Sequence, residues 1–186
     1  MKIINFKHQG TWRDVADSAR TTVGLENGEG EPSDKWKKKI LLAEHSPIRE
    51  LVFKWEWIDI PSWVSVHFVR HKIGIEHFVS TQRNDRTKVD RDKSTQDTIV
   101  SHYFEANAQA IINISRKRLC TQAHKETREK WIEFLDKEVK EKEPELYSVC
   151  VSECIYRGFC PEFTCCGFVN TDKCKKELID YRNTRL

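Results

Sequence analysis

No apolar run in this 186-residue chain approaches the eighteen or so residues of a membrane-spanning helix. The opening "MKIINFKHQGTWRD" holds too short an apolar stretch for a secretory signal. A phosphate-binding G-x-x-x-x-G-K-S/T loop is missing, as are G-x-G-x-x-G and G-x-S-x-G. These absences argue against P-loop and Rossmann-type nucleotide sites and against a Ser–His–Asp acyl-transfer centre. No internal repeat occurs. Charge of one sign is also in short supply: 32 Lys and Arg leave a formal net charge of only +3. Nucleic-acid proteins usually carry a larger excess.

What remains is an ordinary soluble composition, 33% charged and 38% hydrophobic, long enough for one domain with a sizeable core. Such a chain reads as intracellular and cytoplasmic. Its seven cysteines then read as thiols or metal ligands rather than disulfides.

The residue patterns place the elements. "TWRDVADSARTTVG" predicts a short helix with Trp12, Val15, Ala16 and Ala19 on one side. "ENGEGEPSD" predicts a surface loop, after which Ser33 or Asp34 caps a second helix to about Ala43. In "LVFKWEWI" the apolar Leu51, Phe53, Trp55 and Trp57 alternate with Lys54 and Glu56, which predicts a strand. "DIPS" then reads as a turn and "WVSVHFV" as the second strand of a hairpin. Residues 85–97 are polar and predict a loop. Helices are expected from about Ile99 to Leu119 and over 121–141, the latter stopped by Pro144. A cysteine-dense segment and a last helix near 171–183 complete the chain.

The stretch "RHKIGIEHFVSTQRNDR", residues 70–86, is the densest in chemistry. Alone, Arg70, His71 and Lys72 read as a solvated strand end. With Ser80, Thr81 and Arg83 a few residues on, they also read as an anion site, since guanidinium groups grip phosphate in bidentate fashion.

"RHK", seven residues and Ser80 resemble the R-H-R, seven residues, S signature of flavin-dependent thymidylate synthases. Three more segments agree in order. "SARTT" is similar to that family's A-R-x-S element, and His45-Ser46-Pro47 to its H-x-S/T-P-F-E-H element. "NAQAIINISRKRLCTQAHKETR" resembles its helical N-A-R…N…L-R-L-C-x-x-A-Q-W-E-I-R segment.

The resemblance spans about residues 12–135. It implies an α+β fold with an antiparallel sheet and flanking helices, a catalytic domain over 1–145, and a Cys-rich extension over 146–186 packed on it. It implies FAD as cofactor, methylenetetrahydrofolate as carbon donor, NADPH as reductant of the flavin, and conversion of dUMP to dTMP by a homotetramer with the flavin at subunit contacts. Arg70, His71 and Lys72 would contact the flavin, with Ser46 and Thr22 near its phosphate and ribose. Asn107, Asn113 and Gln122 would also face flavin, Gln122 near the folate too. Ser80 and Arg83 would take the nucleotide phosphate, with His67 in reach of the nucleotide. Arg118 would hold and polarise the pyrimidine.

The sequence departs from the family pattern in places. Lys72 stands for an arginine, and His77, Phe78 and Val79 replace an Asn-Glu-Gln stretch, with the apolar Phe78-Val79 step expected to anchor the loop against the core. Thr81-Gln82-Arg83 is one residue longer than the usual S-x-R, and Gln109 stands where a flavin-contacting arginine is common. "DTIVSH" replaces a segment that carries a phosphate-binding arginine, a role Arg86 or Arg91 could take over from the loop.

The cysteine segment has no C-x-x-C knuckle. Cys150, Cys154, Cys160 and Cys165 could make a structural zinc site, though buried free thiols fit the spacing better. Cys120 reads as helix packing, and His77 and His124 carry no assignment. Two other functions stay open at this point. One is a flavin- and folate-dependent hydroxymethylation of a pyrimidine nucleotide. The other is a zinc-stabilised basic module that binds nucleic acid through residues 70–93.

Overall fold

A computed structural model describes residues 2–88 and 90–183. It opens with β1 (Lys2–Gln9), α1 (Trp12–Thr21) and α2 (Asp34–Ala43). Both helices begin where the sequence supplies a cap. The Thr11 hydroxyl accepts from the Asp14 N–H while the Asp14 carboxylate accepts from the Thr11 N–H, and the Ser33 hydroxyl accepts from the Trp36 N–H. A 3₁₀ turn (Ser46–Glu50) leads into β2 (Val52–Pro61), α3 (Ser62–Phe68), β3 (Ile75–Val79), β4 (Ile99–Asn107) and α4 (Ala108–Arg118). Next, α5 (Lys125–Phe134) runs through a π-helical turn (Leu135–Val139) into α6 (Lys140–Lys142). Then follow α7 (Pro144–Val149), α8 (Glu153–Arg157) and α9 (Asp172–Asn183).

The strands form one antiparallel sheet in the order β1-β2-β4-β3, so the fold is α+β. Phe53, Trp55 and Trp57 of β2 and Val100, His102, Phe104 and Ala106 of β4 point to one face and are buried there. The helices cover that face. Trp55 stacks between Phe104 and Phe134, at 4.8 and 4.3 Å between ring centroids. The other face is polar, with Lys54 paired across the strands to Glu105 at 2.9 Å. Leu146, Val149, Ile155, Cys174 and Tyr181 belong to the same core cluster as the sheet residues.

Four sequence expectations are corrected. "DIPS" is not a turn: β2 continues to Pro61, and Asp59 sits at φ +59° where the β2–β4 register shifts between Trp57 and Ile60. A bulge, which a short polar residue in the left-handed region accommodates, looked like a turn signal. The "WVSVHFV" segment is helix α3, not a hairpin strand. Its buried residues Val64, Ser65 and Phe68 follow helical spacing, while Val66 is exposed. A short apolar run satisfies both periods, and tertiary packing selects one.

The expected helix from Ile99 begins only at Ala108, because 99–107 is strand β4. The alternation Val100, His102, Phe104, Ala106 has a histidine as its second member, which masks the strand period. Lastly, the expected anchoring of Phe78 and Val79 on the core is absent: both are exposed, and their neighbour Ile75 turns inward instead. Strands β1 and β3, at the sheet edges, were not foreseen.

Candidate active site

Arg118 ends α4, a helix whose start is fixed by the Asn107 side chain accepting from the Ala110 N–H at 2.9 Å. That placement brings the guanidinium to the end of α3. Its Nε–H donates to His71 Nε2 at 3.0 Å, and Nη2 donates to the His67 carbonyl. The group also lies 5.5 Å above the Phe68 ring. Among the described residues Nη1 has no acceptor. Two nitrogens hold the side chain, and the third makes no bond to the described residues.

The protonation state of His71 follows from this contact. An arginine can only donate, so His71 Nε2 must be unprotonated and the ring neutral. Burial, then Arg118, His77 and Lys117, push its pKa down to about 4, consistent with that state. Burial, with Arg70 adding to it, also lowers the pKa of Arg118 from its ordinary value. His67 Nδ1 lies 2.8 Å from the buried Thr127 hydroxyl, and burial lowers its pKa.

Behind His71 runs a chain of polar contacts. His77 Nε2 is 2.7 Å from the His71 carbonyl, His77 Nδ1 is 3.0 Å from His102 Nε2, and His102 Nδ1 is 2.9 Å from the Ser65 hydroxyl. Sequence reading left His77 unassigned and passed over His102. The available signal was the place of His102 between Val100 and Phe104 in the alternation of β4.

The loop carrying Arg70, His71 and Lys72 leaves α3 rather than a hairpin strand. Arg70 and Lys72 are exposed, with no carboxylate partner among the described residues. Gly74, at φ +72°, closes this loop against α4: its carbonyl accepts from the Asn107 N–H at 2.9 Å, and a Cβ there would meet the Asn107 amide at 2.7 Å.

Ser80 and Arg83 lie in a different place. They line an open groove of about 310 Å³ together with Ser62, Thr81, Gln82 and Arg91. The Ser80 hydroxyl already accepts from the Ser101 N–H at 3.0 Å, and Arg83 pairs with the exposed Asp85 at 2.7 Å. Gln82 Nε2 is buried without a partner among the described residues, and Arg91 brings a second guanidinium.

The remaining expected flavin contacts scatter. Asn107 is occupied as a helix cap. The Asn113 amide oxygen accepts from Gln109 and Arg116, and Gln109 and Arg116 both donate to Glu44. The Thr22 hydroxyl donates to the Ala19 carbonyl, and Ser46 is exposed in its 3₁₀ turn. Gln122 donates to the Thr164 carbonyl and so ties the Cys-rich segment to the end of α4.

The quartet Cys150, Cys154, Cys160 and Cys165 is not brought together. Cys150 is half-buried and meets Ser115 of α4, and desolvation pushes its thiol up to about 12. Instead Cys120, Cys154, Cys160 and Cys166 line one small closed cavity of about 10 Å³. Among the described residues no three His, Cys, Asp or Glu side chains converge as metal ligands.

No protein-family model matches the sequence, and no curated protein matches it. Solved structures do. The flavin-dependent thymidylate synthase ThyX from Helicobacter pylori, complexed with FAD and dUMP, is similar with a TM-score of 0.61 at 16% identity, over 82% of this chain and 100% of that one. A second structure of that enzyme with FAD and dUMP gives 0.61 at 15%, over 81% and 99%. The UMP/dUMP methylase PolB from Streptomyces cacaoi, bound with 5-Br dUMP, gives 0.62 at 12%, over 81% and 97%. At such identities the likeness concerns the fold: this chain has the fold of the flavin-dependent thymidylate synthases. Among the described residues, no helix is long and apolar enough to cross a membrane.

Proposed function

We propose that the chain is a flavin-dependent thymidylate synthase that converts dUMP to dTMP, with FAD as cofactor and methylenetetrahydrofolate and NADPH as co-substrates. The observation that carries this reading is the Arg118 corner. The guanidinium is held by Nε and Nη2 in a half-buried setting with Nη1 free, and the ring beside it is a neutral histidine. A fixed cation of this kind stabilises negative charge developing on a pyrimidine carbonyl when C5 attacks an electrophile. Arginine has no proton to lose at neutral pH, so it polarises without exchanging one.

The residues present fit the cofactor in charge. Arg70 and Lys72 are exposed cations beside the same corner and suit an anionic dinucleotide. When bound, the reduced flavin would supply the hydride, and the protein positions, polarises and excludes water. The groove with Ser80, Gln82, Arg83 and Arg91 is at the small end of ligand pockets, roughly 300–1,000 Å³. It suits a nucleotide phosphate better than a whole dinucleotide. Its separation from the Arg118 corner, with cations facing outward in both, supports a site completed by a second copy in a tetramer. A nucleic-acid role has less support, since Arg83 and Lys93 in the basic segment pair with Asp85 and Asp90.

Incubation of the purified protein with dUMP, methylenetetrahydrofolate and NADPH tests the proposal. A yellow protein forming dTMP is expected. Hydroxymethyl-dUMP as product would move the reaction to the related one-carbon transfer, and a protein that neither retains FAD nor alters dUMP would overturn the reading.

A further inference from the structure

The contacts behind His71 admit one self-consistent arrangement of protons. A carbonyl oxygen only accepts, so His77 Nε2 carries the proton donated to His71. In neutral His77, Nδ1 is then an acceptor, and His102 Nε2–H donates to it. His102 Nδ1 must therefore accept, and the Ser65 hydroxyl donates. All four imidazole nitrogens are satisfied in a region where His102 is fully buried and stacked 3.7 Å from the Phe104 ring. Burial is the largest influence on both rings and keeps them neutral, with His102 pushed down to about 3.

A fully buried histidine, His102, paired with the half-buried His77 is a costly way to fill space that apolar side chains could fill. Each costs desolvation that its hydrogen bonds only offset. What they add is direction. The chain starts in α3, crosses β4 and β3, and ends on the backbone of the residue whose ring receives Arg118. From the other side, Arg118 donates to the His67 carbonyl, two residues beyond Ser65. The segment is thus held at the His71 carbonyl from β3 and at the end of α3 from α4.

We propose that Ser65, His102 and His77 are positioning residues, a one-way hydrogen-bonded relay that fixes the His71 backbone and through it the approach of Arg118 to its ligand. The relay touches no ligand itself. Its consequence for turnover rests on the proposed flavin and dUMP reading, but its effect on His71 does not.

The test uses the full chain with labelled imidazoles, His77→Leu to cut the relay, and His77→Asn to retain a donor and an acceptor. The charged and titratable groups around His71 are Arg118 and Lys117 from α4, His77 from β3, and the adjacent Arg70 and Lys72. All but His77 remain in both variants. In the parent, His71 should titrate far below an ordinary histidine. In His77→Leu the released loop should become better hydrated and His71 should titrate closer to neutrality, with His77→Asn restoring the parent behaviour.

Turnover of dUMP should fall about tenfold in His77→Leu with KM changed far less, because a misplaced polarising group costs the transition state first. An unchanged His71 titration in folded His77→Leu, or His77→Asn behaving like His77→Leu, would overturn the relay. If His77→Leu does not fold, Ser65→Ala serves instead: loss of the donor should mix the His102 tautomers, and unchanged tautomer signals would be equally fatal. A His71 shift in a protein whose parent form leaves dUMP untouched would support the relay and overturn the enzymatic reading.

Discussion

The Arg118 corner and the Ser80–Arg91 groove both offer guanidinium groups, but by different physics. At the corner the cation is half-buried, its Nε and Nη2 are committed to the protein, and the partners are neutral. In the groove Arg83 is exposed and paired with an exposed aspartate two residues away. Low local dielectric strengthens the first, and water and salt screen the second. A preorganised cation stabilises a transition state, whereas a screened one steers and holds an anion. Under the proposed function, the corner would carry the chemistry and the groove would capture the nucleotide.

The sharpest way to break that contrast is Arg118→Ala. Turnover should drop by roughly two to three orders of magnitude, as for loss of one preorganised donor, with flavin retained and the fold intact. Near-parental turnover, measured under saturating dUMP, would make the corner a structural ion site only.

Arg70→Ala comes next. Removal of an unpaired cation beside the corner should weaken FAD retention about ten- to hundredfold, the scale of one charge-assisted hydrogen bond. Gel filtration followed by the flavin absorbance ratio reads it directly.

The groove should respond less. Arg83→Ala should raise KM for dUMP by a few-fold at low salt, within the roughly 0.2–1 kcal/mol of exposed pairs, and the effect should fade as salt is added. Arg91→Ala should act in the same direction. An effect of either on kcat that persists at high salt would erase the distinction between the two regions.

Stability against pH sharpens the same comparison by a different readout. His71 and His102 have folded pKa values of about 4 and about 3, below an ordinary histidine near 6.5. The unfolded chain therefore binds more protons as acidity rises. Stability should be full above about pH 6.5 and be lost progressively as pH falls toward 4. The groove, whose cations carry no such histidine, should contribute nothing there. A melting temperature flat from pH 7 to 4.5 would contradict the neutral state of both rings.

Much of the chain was legible without coordinates. Thr11 with Asp14, and Ser33 before Asp34, are capping signals that act within one turn, and the helices start there. The alternation of Phe53, Trp55 and Trp57 is a property of the strand itself. The position of Arg118 in a helix was legible because the helical pattern before it lies on one continuous segment. The local chemistry of the site was less legible. Asn107 caps a helix, Asn113 lies in the network of Gln109, Arg116 and Glu44, and the Ser80 hydroxyl pairs with β4, partners that spacing along the chain does not reveal.

What the sequence alone determined is what short-range physics decides: caps, periodic faces, and the charged residues clustered between 70 and 86. Only the tertiary structure decided that β2 pairs with β1 and β4, that the apolar run after Pro61 coils into α3, and that His102 turns into the core to meet Ser65 and His77. Each of these depends on partners tens of residues away. The free energy of burying and hydrogen-bonding those groups outweighs local preferences that are small and, over a short run, equally consistent with helix and strand.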